Sequence, residues 1–442
     1  MSGEAESVNV RGAAVSGAVA ASGSPYEITV SDPVKQGEGM NAFVSYKVNT
    51  KTELKEYEFG QFSVIRRYSD FVWLHAQLVK ANPGAIVPPL PGKMVVGRFS
   101  EDFVETRRRA LQNFLVRVGA HPTLPSTEVF KTFLEANEDQ LTATKKDTGK
   151  TKKGFWGWAS KAASSVTSKF SGTPQRERNA ADDQIDEIKE YISKLEPQMD
   201  TVHKHTAGLI KRNKDLANGL FEFALGFQLL GQSESDSLSN ALSQLGNCAD
   251  RLSVFTAEEA EKETLYFEEP IKFYTQMVDA VKAALSVRSD KEGAYEKVLS
   301  ELSSKKSDAA KLEGVAGKEE KLAAVNAAIA EIQEKADEAK RVFDETTERV
   351  LNEVARFKKD KLRDFKKLVL DYVQMQIEYN QKVEEAWRAV LPDIESITEE
   401  TAAAEASVAS SLDNMGLSET ASPPEPPARS DPAPEGPVGD EI

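Results

Sequence analysis

Between Lys318 and Leu391 the chain runs without a proline or glycine, and its apolar residues step by threes and fours. The row comprises Leu322, Val325, Ile329, Ile332, Ala336, Ala339 and Phe343, then Val350, Val354, Phe357, Phe365, Leu368, Tyr372, Met375 and Tyr379. Such a row lies along one face of a helix and is stable in water only when other helices cover it. At 1.5 Å per residue an uninterrupted helix over this span is roughly 110 Å long, far more than a compact domain needs. The segment therefore predicts an elongated assembly of several helices. Two further helices are expected before it, over about 179–231 and 236–312, with a break at GQSESDS and a tight tip at LEGVAGKEE. Only Pro197 and Pro270 interrupt this region before Pro392. On periodicity alone the same pattern also describes an ordinary coiled-coil rod.

The chain before residue 140 has a different texture. Residues 1–24 are small and polar, with too little apolar surface to offset the entropy of ordering. From Tyr26 on, YEITVSDP, AFVSYKV and YEFGQFSVIRRY alternate β-branched or aromatic residues with polar ones, which predicts three strands of a small sheet. FVWLHAQLVKANP reads as a helix through Phe71, Leu74 and Leu78, stopped by Asn82 and Pro83. IVPPLPGK forbids regular helix and predicts a stiff, extended loop. SEDFVETRRRALQNFLVRVGAHP opens with Ser100 as a cap and two acids at the positive helix end. A last short helix, TEVFKTFLEANE, completes an α+β unit over 25–138.

The 442-residue length and 40% hydrophobic content suit two or three domains with real cores. A formal net charge of −15 excludes a generic binder of polyanions such as nucleic acid. The charge is unevenly placed. From Lys145 to Arg178, nine Lys and Arg face only Asp147 and Glu177, whereas from Asp413 to Ile442 seven acids face one Arg among many prolines. The tail, 399–442, reads as extended and solvated. Neither a secretory leader nor a membrane span is apparent, so the cytosolic side of membranes is expected. The single cysteine, Cys248, suggests a reducing compartment and a role in helix packing.

Recognition of an inositol phosphate needs fixed cations, an aromatic or apolar floor for the ring, and apolar groups that enter the bilayer. RRYSDF places Arg67 and Tyr68 where a strand becomes a helix, the PPLPGK loop delivers Lys93, and the next helix delivers Arg107. A guanidinium fork matches phosphate oxygens, and a lysine adds a point charge. Taken singly, an Arg-Arg pair is commonly a solvated edge and a PPLP stretch a linker. Their order and spacing, RRYSDF then PPLPGK then FVETRRRALQNFL, strongly resembles the PX domain over 25–138. That resemblance implies Arg67 as ligand of a 3-phosphate, Tyr68 as the ring beneath the inositol, Lys93 as ligand of the 1-phosphate and Arg107 as partner of the inositol hydroxyls. It further implies phosphatidylinositol 3-phosphate as the lipid, with the 3,5-bisphosphate second. Arg66, Arg108 and Arg109 are expected to be surface or structural charges, and Val95, Val96 and Phe99 to enter lipid shallowly.

Within 145–172, GFWGWASKAASSVTSKF sets Phe155, Trp156, Trp158, Ala162, Val166 and Phe170 on roughly one helical face beside Lys161 and Lys169. Tryptophan favours the headgroup boundary and lysine anionic lipid, which predicts an amphipathic membrane helix; a linker packed on the next domain is the plainer reading. Residues 179–398 resemble the BAR domain of sorting nexins through LIKRNKDLANGLFEFALGFQLLG, LSNALSQLGNCADRL and ERVLNEVARFKKDKLRDFKKLVLDYV. The expected fold class is thus an α+β PX domain followed by an all-α BAR domain of three long antiparallel helices. Two copies would pair into a curved six-helix dimer with a cationic concave side, to which RFKKDKLRDFKK would contribute Lys358, Lys359, Lys361, Arg363, Lys366 and Lys367. A solvated helix surface accounts for the same run.

No Walker A loop, dinucleotide fingerprint or nucleophile elbow occurs, and His75, His121, His203 and His205 do not form a metal set. No enzyme, cofactor or metal is expected. The family implied is the PX-BAR sorting nexins, acting on endosomal membranes with retromer as homodimers or with related nexins. The alternative is a rigid tether anchored by its PX domain without curvature activity.

Overall fold

A computed structural model describes residues 24–39, 42–92, 99–148, 176–234 and 237–397. The expected disordered start up to residue 23, Lys93, Val95, Val96, the Phe155, Trp156 and Trp158 segment, and the tail from 398 lie outside the described residues. Strands β1 (Tyr26–Gln36), β2 (Phe43–Thr52) and β3 (Gln61–Arg67) form one antiparallel sheet in that order. Its alternation puts Ile28, Val30, Tyr46 and Val48 inward. Helices α1 (Tyr68–Ala81), α2 (Glu101–Gly119), α3 (Glu128–Glu135) and α4 (Glu138–Thr148) follow. Phe71, Leu74 and Leu78 of α1, Leu111, Phe114 and Leu115 of α2, and Phe130 and Phe133 of α3 close the core over the sheet.

The long helices are α5 (Ala180–Ser233), α6 (Ser237–Glu263), α7 (Glu269–Leu312) and α8 (Glu319–Glu395). A five-residue π-helical turn, Thr264–Glu268, joins α6 to α7. Pro270 follows it and lacks an N–H; the wider turn lets the helix continue where the sequence suggests an interruption. Pro197 likewise lies inside α5.

The chain divides into two units, one from its start to Asn213 with Glu258–Glu378, the other Lys214–Ala257 with the chain from Tyr379 on. In the first, α5 runs antiparallel to the end of α6 and to α7: Arg288 pairs with Asp182, Lys282 Nζ donates to Glu196 at 2.6 Å, and Asn213 donates to Glu263 of α6 at 2.8 Å. The α8 row covers both, with Val350, Val354, Phe357 and Leu368 buried against Ile185, Ile192, Tyr274 and Val278. The α+β core docks on this bundle through Ile86, 1% exposed. Gly84, at φ +84, makes the approach possible: a Cβ there would lie 3.1 Å from side-chain carbons of Thr346 and Val350. In the second unit a Cβ on Gly246 would come within 2.9 Å of the Ala224 carbonyl, so glycine sets the α5–α6 spacing. Cys248 is buried there and donates its thiol to the Ala386 carbonyl at 3.2 Å, the packing role expected of it.

Candidate phosphoinositide and membrane site

The end of β3 decides where the arginines point. Phe62, Val64 and Arg66 share one face of the strand, so Arg66 turns into the core and Arg67 turns out. Arg66 is 1% exposed and donates Nε to the Phe133 carbonyl at 2.9 Å and Nη1 to the Ile65 carbonyl at 2.9 Å. Burial pulls its guanidinium down to about 10, against the opposing field of Asp70. Arg67, half exposed, has its guanidinium 5.6 Å from the Phe43 ring centroid. Its N–H is accepted by Asp70 Oδ2 at 2.8 Å, which fixes the first turn of α1.

Tyr68 begins that turn and donates its hydroxyl to the Pro91 carbonyl at 2.5 Å. Burial pushes the phenol above its ordinary value, against the charge of Arg107. The Arg107 guanidinium lies 4.3 Å from the Tyr68 centroid and 4.3 Å from the Phe103 centroid, and its Nη2 donates to the Gly92 carbonyl at 3.2 Å. The stiff loop is thus held at Pro91 and Gly92 by the ring and the guanidinium, one residue before Lys93. The fold brings Tyr68 and Arg107 together, while Arg67, next to Tyr68 in the chain, lies against Phe43 and Asp70.

Three neighbours escape the motif reading. Phe103 stands one helical turn before Arg107, a spacing at which aromatic and cation meet, so its signal was present in FVETR. Phe43 and Lys35 come from β2 and β1; Lys35 Nζ lies 4.8 Å from the Phe99 ring centroid. Phe99 itself is partly exposed. Arg108 and Arg109 are structural, as expected: Arg108 donates to the Val30 carbonyl at 2.6 Å, and Arg109 pairs with Glu269 at 2.6 Å.

On α8 the basic run divides. Lys358 and Lys361 flank the Tyr191 ring at 4.8 and 5.2 Å, with Lys361 donating to the Tyr191 hydroxyl at 2.6 Å. Lys359, Arg363, Lys366 and Lys367 are exposed; Arg363 pairs with Asp360 at 3.0 Å and Lys367 with Asp371 at 2.5 Å. Exposed apolar residues follow helical spacing beside them, Leu362, Val369, Val373 and Ile377.

Residues 159–393 match the family model described as Vps5 C terminal like, and residues 55–137 match the PX domain. The chain belongs to the sorting nexins of the PX-BAR type. Sorting nexin 1 of Arabidopsis thaliana is 33% identical over 385 residues, 85% of this chain and 94% of that protein. Sorting nexin-2 of Homo sapiens is 32% identical, over 84% of this chain and 72% of its own. The cryo-EM structure of the SNX-BAR Mvp1 tetramer shares the fold at a TM-score of 0.63 and 18% identity, covering 82% of this chain and 99% of that one. Membership implies a membrane-binding protein with a phosphoinositide ligand for the PX domain, and a dimer and curvature for the BAR domain. Among the described residues of this sorting nexin no helix is long and apolar enough to cross a membrane.

Proposed function

We propose that the chain is a non-enzymatic sorting nexin of endosomal membranes. Its PX domain, residues 25–138, reads phosphatidylinositol 3-phosphate, with the 3,5-bisphosphate as second ligand. Its BAR domain, residues 179–398, dimerises on curved bilayers. Arg67 takes the 3-phosphate, Tyr68 underlies the inositol ring, Arg107 meets the ring hydroxyls and Lys93 takes the 1-phosphate. The observation that carries this is the Arg107 guanidinium 4.3 Å from the Tyr68 ring centroid, with the half-exposed Arg67 next to Tyr68 in the chain. A fixed cation, an aromatic floor and a second fixed cation are what a sugar phosphate needs.

Val95, Val96, Phe99, Phe155, Trp156 and Trp158 enter the bilayer surface, within and ahead of the linker 145–172. Lys358, Lys359, Lys361, Arg363, Lys366 and Lys367 face anionic lipid, with each exposed cation contributing about 1 kcal/mol. The exposed rows support dimerisation: Leu362, Val369, Val373 and Ile377 on α8, and Val202 and Leu209 on α5, in the first unit; Leu216, Phe223 and Leu230 on α5 in the second. Exposed apolar rows at helical spacing are unfavourable in water and are covered by a second copy or a related nexin. Two headgroup sites in one dimer then multiply a modest single-site affinity. Retromer is the proposed cargo-sorting partner.

Arg67→Ala is expected to abolish sedimentation of the protein with vesicles bearing phosphatidylinositol 3-phosphate; undiminished binding refutes the site. Wild-type protein is expected to tubulate such vesicles. Binding without tubulation or preference for small vesicles favours the tether.

A further inference from the structure

Asp70 stands beside the headgroup arginine yet takes no part in the reading above. It is 6% exposed, and its Oδ2 accepts the Arg67 backbone N–H. Its Oδ1 has two suitors. Arg67 Nε lies 3.5 Å away, beyond a good hydrogen bond, while the Lys145 ammonium, reaching from α4, sits directly on that oxygen. Lys145 also lies 5.7 Å from the Trp73 ring centroid, and its side chain is 22% exposed where that of Arg67 is 53% exposed. Arg66 adds positive potential from the core side, but its nitrogens donate to the carbonyls of Phe133, Ile65 and Ala136. Lys145 is therefore the cation seated on the carboxylate.

A carboxylate so buried requires a partner. With α4 docked, Lys145 supplies it, and the guanidinium of Arg67 turns outward. With α4 undocked, the nearest free cation is Arg67, whose fork would close onto Asp70 and be lost to phosphate. We propose that Lys145 and Asp70 are positioning residues that keep Arg67 open to the 3-phosphate of a phosphoinositide, so that α4 docking and headgroup binding are linked. This rests on the reading of Arg67 as the phosphate ligand. Linkage is reciprocal, so the headgroup in turn holds α4 down. Because α4 ends at Thr148, where the basic and aromatic segment begins, the pair ties that segment's point of attachment to lipid recognition.

The test uses the full chain with water-soluble short-chain phosphatidylinositol 3-phosphate, which presents no membrane surface, measured by calorimetry. Lys145→Met is expected to weaken binding about fivefold, the scale of a partly buried ion pair. Lys145→Arg is expected to retain affinity. Asp70→Asn combined with Lys145→Met is expected to return affinity to within about twofold of wild type, because the amide oxygen still accepts the Arg67 N–H but no longer captures its fork. Hydrogen exchange across 138–148 is expected to slow on adding the lipid to wild type and not to Lys145→Met. Wild-type affinity in Lys145→Met, or a double variant as weak as the single one, overturns the proposal while leaving the headgroup site standing. Unchanged binding by Arg67→Ala overturns both.

Discussion

Removing the Glu353 carboxylate is expected to loosen the PX domain from the helices that carry it. Glu353 lies on α8, 6% exposed, and accepts the Ile86 N–H at 2.9 Å, His121 Nε2 at 3.2 Å and an Arg356 Nη2 at 2.5 Å. His121 Nδ1 meanwhile accepts the N–H groups of Thr123 at 3.1 Å and Leu124 at 3.2 Å. Nδ1 must therefore be bare and Nε2 must carry the proton that points at Glu353. Burial pushes the Glu353 carboxyl up, but His121, Arg356 and the Ile86 N–H outweigh it and hold it below its ordinary value. Burial lowers His121 as well, and Glu353 only partly opposes this.

Glu353→Ala leaves two buried donors, the Ile86 N–H and His121 Nε2–H, without an acceptor. At about 1–3 kcal/mol each the loss is about 2–6 kcal/mol, with Arg356 adding little because its side chain is 27% exposed. Urea denaturation at neutral pH measures it, and hydrogen exchange at 84–87 and 121–124 locates it. Both depressed groups act in one direction. Their stabilisation is full above the ordinary histidine value near 6.5 and falls as acid protonates first the unfolded histidine and then the unfolded carboxylate. Glu353 raises His121, so its removal lowers the histidine further; the gap between wild type and Glu353→Ala should accordingly hold or widen as the unfolded histidine protonates below about pH 6.5 and shrink only below the ordinary glutamate value near 4.5. A variant within about 0.5 kcal/mol of wild type, or a gap that already shrinks between pH 7 and pH 5, refutes this account.

Val369→Glu with Val373→Glu is expected to convert a dimer into a monomer by light scattering while leaving short-chain lipid affinity intact; a dimer that persists places the contact elsewhere. Arg288 is 3% exposed, pairs with Asp182 and with Glu292 at 2.7 Å, and lies 4.7 Å from the Phe343 ring that Arg176 covers at 4.5 Å. Arg288→Ala is expected to cost about 1–3 kcal/mol in denaturant, because Asp182 and Glu292 lose one of their two guanidinium partners while Arg176 remains on both. The Arg176 hydrogen bond foremost, with Arg288 adding to it, holds Asp182 well below the usual carboxylate range. That stabilisation is present above the ordinary aspartate value and is lost as pH falls toward the folded one, so the penalty should persist at pH 5.

The residues that could be read without the fold are those whose physics is local. RRYSDF announces a strand that becomes a helix, and the α8 row from Val350 to Phe357 announces a buried seam, because each depends on neighbours within a few turns. The opposite fates of Arg66 and Arg67 were also within reach: Phe62 and Val64 fix the inward parity of β3, and Arg66 shares it. Lys358 and Lys361 look alike to Lys359 and Lys366 in a string of basic residues, and only Tyr191 on another helix separates them. His121 and Glu353 are 232 positions apart, and nothing in either local pattern calls for the other.

Those distant pairs carry a functional consequence. A PX domain held only by its linker would meet lipid at an orientation averaged over many, and each bound state would have to be ordered from that ensemble. Here Arg109 on Glu269, Arg117 on Asp364 at 2.7 Å, the Arg349 donor to the Pro83 carbonyl at 2.9 Å, and Glu353 under Ile86 and His121 fasten it from both sides. Four polar contacts contribute little net stability, since desolvation offsets much of each. What they contribute is direction: hydrogen bonds tolerate small angular error, whereas apolar contact alone tolerates sliding. An Arg67 aimed by β3 is then also aimed relative to α7 and α8. On the proposed reading of Arg67 and of the α8 cations, headgroup and bilayer would then meet one fastened body rather than two tethered ones, which is how weak single contacts become a strong joint one.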